Sequence, residues 1–398
     1  MIKKIILVTL LISAVIGGFL VSHFLYETYY GNKDVKSSYG EVTCVNEDGQ
    51  LVDWYLVYKL PRAKGASVSG SEYLYMDSIN PRWRLGKYRV ESPNSIFGRT
   101  LNPIYGSYKS NKANVGYVLY NDGVPGSREY SSAFGHIKGV IAWTLYGGFH
   151  ITHSVPRFPP FPKEGYNYPS TGTRYGQTAL CMSLSYNTVV ELDAIIPVNN
   201  PRVYSCFIPS VDVTTMSNFK AICVDKIVSI GTNVSTYISS EKGEEFLIFA
   251  KSADYNQDIL SAWIAPTFQT DLLAETWLHG TKLPTNCTGS FHVYNVAAVS
   301  ISTFDFVNYD DHSKWAVSLH NADTGWVCVG DINREPAQLR RGGGYTCTRN
   351  TDIYNSLRDA VTVFESCEIG QCSSIIDDED LVNTTCKIAL NSNFVGFC

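Results

Sequence analysis

A chain of 398 residues, 44% hydrophobic, 13% aromatic and only 17% charged, is neither disordered nor fibrous and is long enough to bury one large core or two packed lobes. Its formal charge of −5 lacks the basic footprint of a protein that holds nucleic acid at neutral pH. Acid changes that balance, because protonating all eight histidines takes the formal charge from −5 to +3 before any carboxylate titrates.

Lys3 and Lys4 precede an apolar run from Ile5 to about Ser22, so residues 1–25 read as a signal peptide. The run is long and no small-x-small site follows it, which keeps a signal anchor open. Residues 26–43 read as a polar tether. From Cys44 on, β-branched and aromatic runs such as VDWYLVY (52–58) and VGYVLY (115–120) predict strands, punctuated by Gly, Pro and Asn turns. Helix is expected over 257–263 and 356–364. The fold class that follows is mixed α/β, rich in sheet.

Eleven cysteines run from Cys44 to Cys398 without a Cys-x-x-Cys pair or a Cys/His cluster, which predicts disulfides and an oxidising compartment. Acceptor sequons at Asn233, Asn286 and Asn383 fit passage through the secretory pathway. The odd count leaves at least one thiol free or paired to another molecule.

Laid against itself, the chain repeats. GFHITHSVPR (148–157) and GWVCVGDINR (325–334) share a pattern of Gly, aromatic, strand, small polar turn and Arg. Upstream of each, at nearly equal distance, stands a His-x-Lys: His136-Ile137-Lys138 and His312-Ser313-Lys314. The pattern predicts a duplication into two similar halves, 44–195 and 196–367, followed by a cysteine-containing extension, 368–398.

On a strand, residues i and i+2 share a face, so each element sets an imidazole beside an ammonium. Two such elements facing across a pseudo-two-fold axis supply what attack on a phosphodiester needs: a nucleophile, a proton donor and cations around the phosphoryl oxygens. One His attacks phosphorus. The other protonates the departing ribose oxygen and then activates water, with no metal ion or cofactor required.

The segments Tyr120-Asn121-Asp122, GHIKGV (135–140), HSVPRFPP (153–160), YGQTALC (175–181), DHSKW (311–315), WVCVGDINR (326–334) and RRGGGY (340–345) resemble the deoxyribonuclease II family, from about Cys44 to Cys367. The resemblance implies a phospholipase D fold, two mixed sheets with flanking helices forming a pseudodimer. It also implies endonucleolytic cleavage of DNA in acid, without divalent metal, leaving 3′-phosphate ends, in a lysosomal or secreted setting.

Carried over, His136, Lys138, His312 and Lys314 are the catalytic pairs. Gly330-Asp331-Ile332-Asn333 stands for the superfamily's Gly-Ser-x-Asn element, with Asn333 as a neutral phosphate ligand. The first half has His153 and Ser154 there. His153 is expected in the site or as a structural histidine, and His150, out of phase, away from it. Trp143 and Leu319 occupy the places of an acidic residue found in many superfamily members, and Ala316 that of a cysteine. Arg157 and Arg334 either bind DNA backbone or brace their turns, and Arg341 to Gly344 reads as a tight turn.

By the family pattern Cys44 pairs with Cys181, Cys287 with Cys367 and Cys328 with Cys347; the additional Cys206 and Cys223 pair with each other, and Cys372, Cys386 and Cys398 stay in the tail. The expected partner is DNA, with no stable membrane partner unless the leader is retained, and a homodimer stays open. The competing readings are a secreted pseudo-nuclease that binds DNA or a protein without cutting, and a phospholipase D-type phosphodiesterase on another substrate.

Overall fold

A computed structural model of the chain describes residues 41–385, apart from 64–67, 112–113, 225–232, 278, 320–324, 369–370 and 376–380; of 371–375 and 381–385 it describes the backbone alone. The leader, most of the tether, Cys386 and Cys398 lie outside the described residues, as do the side chains of Cys372 and Asn383. No described helix is long and apolar enough to cross a membrane.

Among the described residues nineteen strands build two large sheets. The first contains β1 (Trp54–Lys59), β2 (Tyr73–Asp77), β3 (Arg84–Leu85), β4 (Gly116–Asn121), β5 (Lys138–Thr144), β6 (Gly147–His153), β7 (Gln177–Leu184) and β8 (Val203–Phe207), in the order β3-β2-β1-β7-β6-β5-β4-β8. The second contains β9 (Asn233–Ser239), β10 (Glu245–Lys251), β11 (Leu272–Glu275), β12 (Val293–Ile301), β13 (Phe304–Val307), β14 (Trp315–Ser318), β15 (Val327–Gly330), β16 (Gly343–Thr348), β17 (Val361–Glu365), β18 (Gln371–Ile375) and β19 (Leu381–Thr385). Its order is β19-β18-β17-β12-β11-β14-β15-β16-β10-β9, with β13 on β12.

Both sheets repeat one motif. The run β1-β7-β6-β5-β4 in the first corresponds to β10-β16-β15-β14-β11 in the second, in the same chain order and antiparallel throughout. The chain stays with the first sheet as far as Phe207, where β8 pairs with β4.

Alternation decides the layers. Trp54, Leu56, Tyr58, Ile141, Trp143, Leu180 and Met182 from the first sheet share one core with Phe246, Ile248, Trp315, Val317, Val327 and Val329 from the second. Their strand neighbours face outward. Tyr55, Val57, Val140, Ala142 and Cys181 pack under α1 (Ile96–Lys109), whose cap Ser95 accepts from the Gly98 amide. Leu247, Phe249, Ala316 and Cys328 pack under a helical turn that begins as Leu260–Ile264. The result is two facing sheets with helix on both outer sides.

The expected helix over 257–263 begins only at Leu260. That over 356–364 is corrected: the helix is Thr351–Arg358, capped by Asn350, and Val361–Glu365 is a strand. The β-branched run from Val361 to Val363 suits a strand better than the turn of helix assigned to it.

Among the described residues four disulfides join Cys44 to Cys181, Cys206 to Cys223, Cys287 to Cys367 and Cys328 to Cys347. The first ties the start of the described chain to β7, and the last crosses from β15 to β16. Asn233 and Asn286 are partly exposed.

Candidate active site

Lys138 opens β5 and Lys314 immediately precedes β14, the corresponding strand. Between each His and Lys the middle residue turns to the shared core: Ile137 packs there, and the Ser313 hydroxyl lies 3.0 Å from that of Tyr58. His136 and Lys138 therefore share one side of their strand, and His312 and Lys314 share the same side of theirs.

Each histidine is held by the other half. The His136 amide donates to the Gly342 carbonyl at 2.8 Å, and the His312 amide to the Gly176 carbonyl at 2.9 Å. Both glycines are demanded by close approach: a Cβ on Gly342 would lie 2.1 Å from the Asn199 carbonyl oxygen, and one on Gly176 2.3 Å from Asp311 Oδ1.

The loops carrying these glycines are fixed by equivalent buried lysines. Lys59, at the end of β1, donates to the carbonyls of Thr173 and Tyr175. Lys251, at the end of β10, donates to those of Gln338, Leu339 and Arg341. Burial pushes Lys59 down to about 7 and Lys251 to about 8.

The rings cross over as well. His136 Nδ1 lies 2.6 Å from the Asp331 carbonyl oxygen. A carbonyl can only accept, so Nδ1 carries the proton and Nε2 keeps its lone pair. His312 Nδ1 lies 3.1 Å from Gln177 Oε1, which also accepts from Ser154 Oγ at 2.6 Å. Lys314 Nζ donates to the His312 carbonyl and sits 3.3 Å from His312 Nδ1.

Asp122 sets a carboxylate directly against the first pair. Its carboxylate lies 2.6 Å from Lys138 Nζ, 3.7 Å from His136 Nε2 and 3.4 Å from Arg341 Nη2. Burial alone would raise this carboxyl, but Lys138, His136 and Arg341 outweigh it and hold it well below the ordinary range. β4 pairs Asn121 with Lys138, and β11 pairs Glu275 with Trp315. By that register Trp277 stands in the second half where Asp122 stands in the first, and its indole meets the His312 ring edge-on at 4.8 Å.

Burial first, then the neighbouring ammoniums, pushes both histidines well below 6.5. Lys138 and Lys314 act on both rings, and His136 acts on His312, so the two pairs occupy one electrostatic site. Burial and the Lys138 charge bring Lys314 down to about 7. Burial brings the Asp331 carboxyl up to about 7.

The other sequence-predicted residues divide. His153 is fully buried across the strand pair from Lys138; its Nδ1 accepts from the Val155 amide at 3.1 Å, and Nε2 has no hydrogen-bond partner. Asn333 is buried with Oδ1 unpartnered. Ser154 and Asp331 are committed to the scaffold, Ser154 to Gln177, and Asp331 to His136 and, through Oδ1, to the Gly344 amide at 3.1 Å.

His150 faces the shared core, with Nε2 2.9 Å from the Tyr120 hydroxyl. Both arginines brace turns: Arg157 bonds the Ser127 carbonyl, and Arg334 bonds Asp258 and the Pro284 carbonyl. Arg341 reaches the carbonyls of Phe134 and Gly135 beside His136.

Sequence reasoning missed Asp122, Gln177 and Trp277. Asp122 and Gln177 stood in plain view in Tyr120-Asn121-Asp122 and YGQTALC, but a role for either requires knowing which strand lies beside which. Among the described residues, one group of ligand-type atoms has metal spacing, Cys287, His292 and Cys367, and its cysteines are joined to each other.

Residues 43–367 match the family model for Deoxyribonuclease II. Deoxyribonuclease-2-beta of Homo sapiens is 41% identical over 332 residues, 82% of this chain and 92% of its own. Plancitoxin-1 of Acanthaster planci is 34% identical over 334 residues, 82% and 92%. Deoxyribonuclease-2-alpha of Mus musculus is 32% identical over 336 residues, 82% and 94%.

Proposed function

The chain belongs to the deoxyribonuclease II family and is a hydrolytic deoxyribonuclease, and from that premise we propose that it cuts DNA internally, in acid and without a metal ion, through a phosphohistidine. The observation that carries this reading is the crossover: each His-x-Lys histidine is oriented by the opposite half, His136 by Asp331 and His312 by Gln177.

His136 Nε2, left with its lone pair, attacks phosphorus and forms the N–P bond. His312, protonated with Nδ1–H on Gln177, gives its Nε2 proton to the departing 5′ oxygen as the P–O bond breaks. His312, now neutral, takes a proton from water, and the hydroxide displaces His136 to release a 3′-phosphate. Lys138 and Lys314 stabilise the phosphoryl oxygens, the task a divalent metal would otherwise perform. The unpartnered His153 Nε2 and the Asn333 amide are the further phosphate ligands, while Ser154 and Asp331 position the histidines.

Disulfides and family together favour a lysosomal or secreted enzyme. The test is plasmid cleavage at about pH 5 in excess chelator, with acid-quenched, 32P-labelled substrate used to trap the covalent intermediate. Cleavage that stops in chelator, or ends bearing 5′-phosphate, would sink the mechanism.

A further inference from the structure

Beside His312 the second half carries a feature the phosphoryl chemistry does not use. Trp277 and His279 stack at 3.7 Å with planes 9° apart, and His279 and Tyr309 stack at 3.7 Å with planes 23° apart. Tyr175 closes the side of the stack, edge-on to Trp277 at 4.3 Å and to His279 at 5.2 Å. Arg174 lies over the Tyr175 ring at 4.8 Å and is exposed. The inner ring touches His312, and the outer one, Tyr309, is 53% exposed. A brace for His312 would need only Trp277. The column instead continues outward, from a proposed catalytic group to solvent.

Its spacing is close to the roughly 3.4 Å rise of stacked bases, and aromatic faces flanked by a cation are how proteins hold unpaired bases without reading their identity. We propose that Trp277, His279, Tyr309 and Tyr175 form a base-stacking subsite for an unpaired or extruded nucleotide of the DNA substrate. The inference rests on the reading of His312 as the acid. The leaving group is then the 5′ oxygen, so the stacked base belongs to the nucleotide immediately 3′ of the cut. Arg174 meets the next phosphate. Among the described residues the first half has no such column, because Asp122 takes the place of Trp277 and is committed to Lys138.

The experiment uses the full chain and a short single-stranded oligodeoxynucleotide with one cleavable phosphodiester, the rest being methylphosphonates. It is assayed intact, with an abasic residue 3′ of that diester, and with one 5′ of it. Wild type should show a KM about tenfold higher when the 3′ base is missing and little change when the 5′ base is missing. Tyr309→Ala should raise KM on the intact strand by a similar factor, yet match wild type on the 3′-abasic strand. Tyr309→Phe, which keeps the ring, should behave as wild type. Equal KM values for Tyr309→Ala and wild type on the intact strand, or a larger effect from the 5′ base, would overturn the subsite. Wild type that cuts plasmid in excess chelator but none of the three strands would also overturn the subsite, whereas wild type that cuts neither would overturn the nuclease mechanism beneath it.

Discussion

Asp122 and Trp277 occupy the same place in the two halves by strand register, since Asn121 pairs with Lys138 and Glu275 with Trp315, yet one neutralises Lys138 and the other lays its indole against His312. The duplicated fold thus presents two chemically different half-sites. One is a pair with a carboxylate directly on its lysine and a free Nε2 lone pair, and the other a pair under an aromatic roof.

Asp122→Asn removes the partner of a buried lysine. It should lower stability by roughly 3 kcal/mol in urea unfolding and reduce kcat. The sign with pH follows from the depressed carboxyl: its folded value lies below the ordinary 3.8, so its contribution is present above about pH 4 and is lost only as pH falls through the folded value. The stability gap between wild type and variant should therefore be nearly constant from neutrality to about pH 5. A gap that closed over that range would contradict the ion pair.

His136→Ala and His312→Ala should each reduce kcat by roughly 10³-fold or more, and the double variant should be scarcely worse, because residues acting as one unit are not additive. Multiplicative losses would show that the two do not share a site.

The pH profile follows from the directions already given. His312 lies well below 6.5 in the free protein, so its donor form accumulates only as pH falls; Lys314, at about 7, loses its charge as pH rises through neutrality. Both terms depress the alkaline side, while His136, also pushed down, stays unprotonated into the acid range. Activity should peak at roughly pH 4.5 to 6, persist in chelator and fall steeply with salt. A kcat/KM profile flat through pH 8 would refute the assignment.

Gln177→Glu places a carboxylate against His312 Nδ1 and should raise its pKa, moving the alkaline limb up by about one pH unit. Gln177→Leu removes the acceptor, leaves Ser154 Oγ only its bonds to the Thr178 backbone, and should lower kcat with little change in KM. A shift for Leu as large as for Glu would show that Gln177 acts by packing alone.

Fold class, duplication and the two His-x-Lys elements were legible in the chain because they are local: strand alternation, paired triplets at matched spacing and cysteine content need no neighbour to be recognised. Which partners those histidines have was not legible. Asp331 reaches His136 across 195 positions, Gln177 reaches His312 across 135, and the strand order that joins them exists only once the sheets have formed. The same holds for the break in symmetry. Ser154 and Asp331 align in the repeat, as do Arg157 and Arg334, but Gln177 falls opposite Gly343 and Asp122 opposite Trp277, so one ring meets a backbone carbonyl and a carboxylate, and the other an amide side chain and an indole. The charge of an imidazole depends on burial and on the ions within a few ångströms, and those are set by tertiary packing rather than by the residues on either side of it.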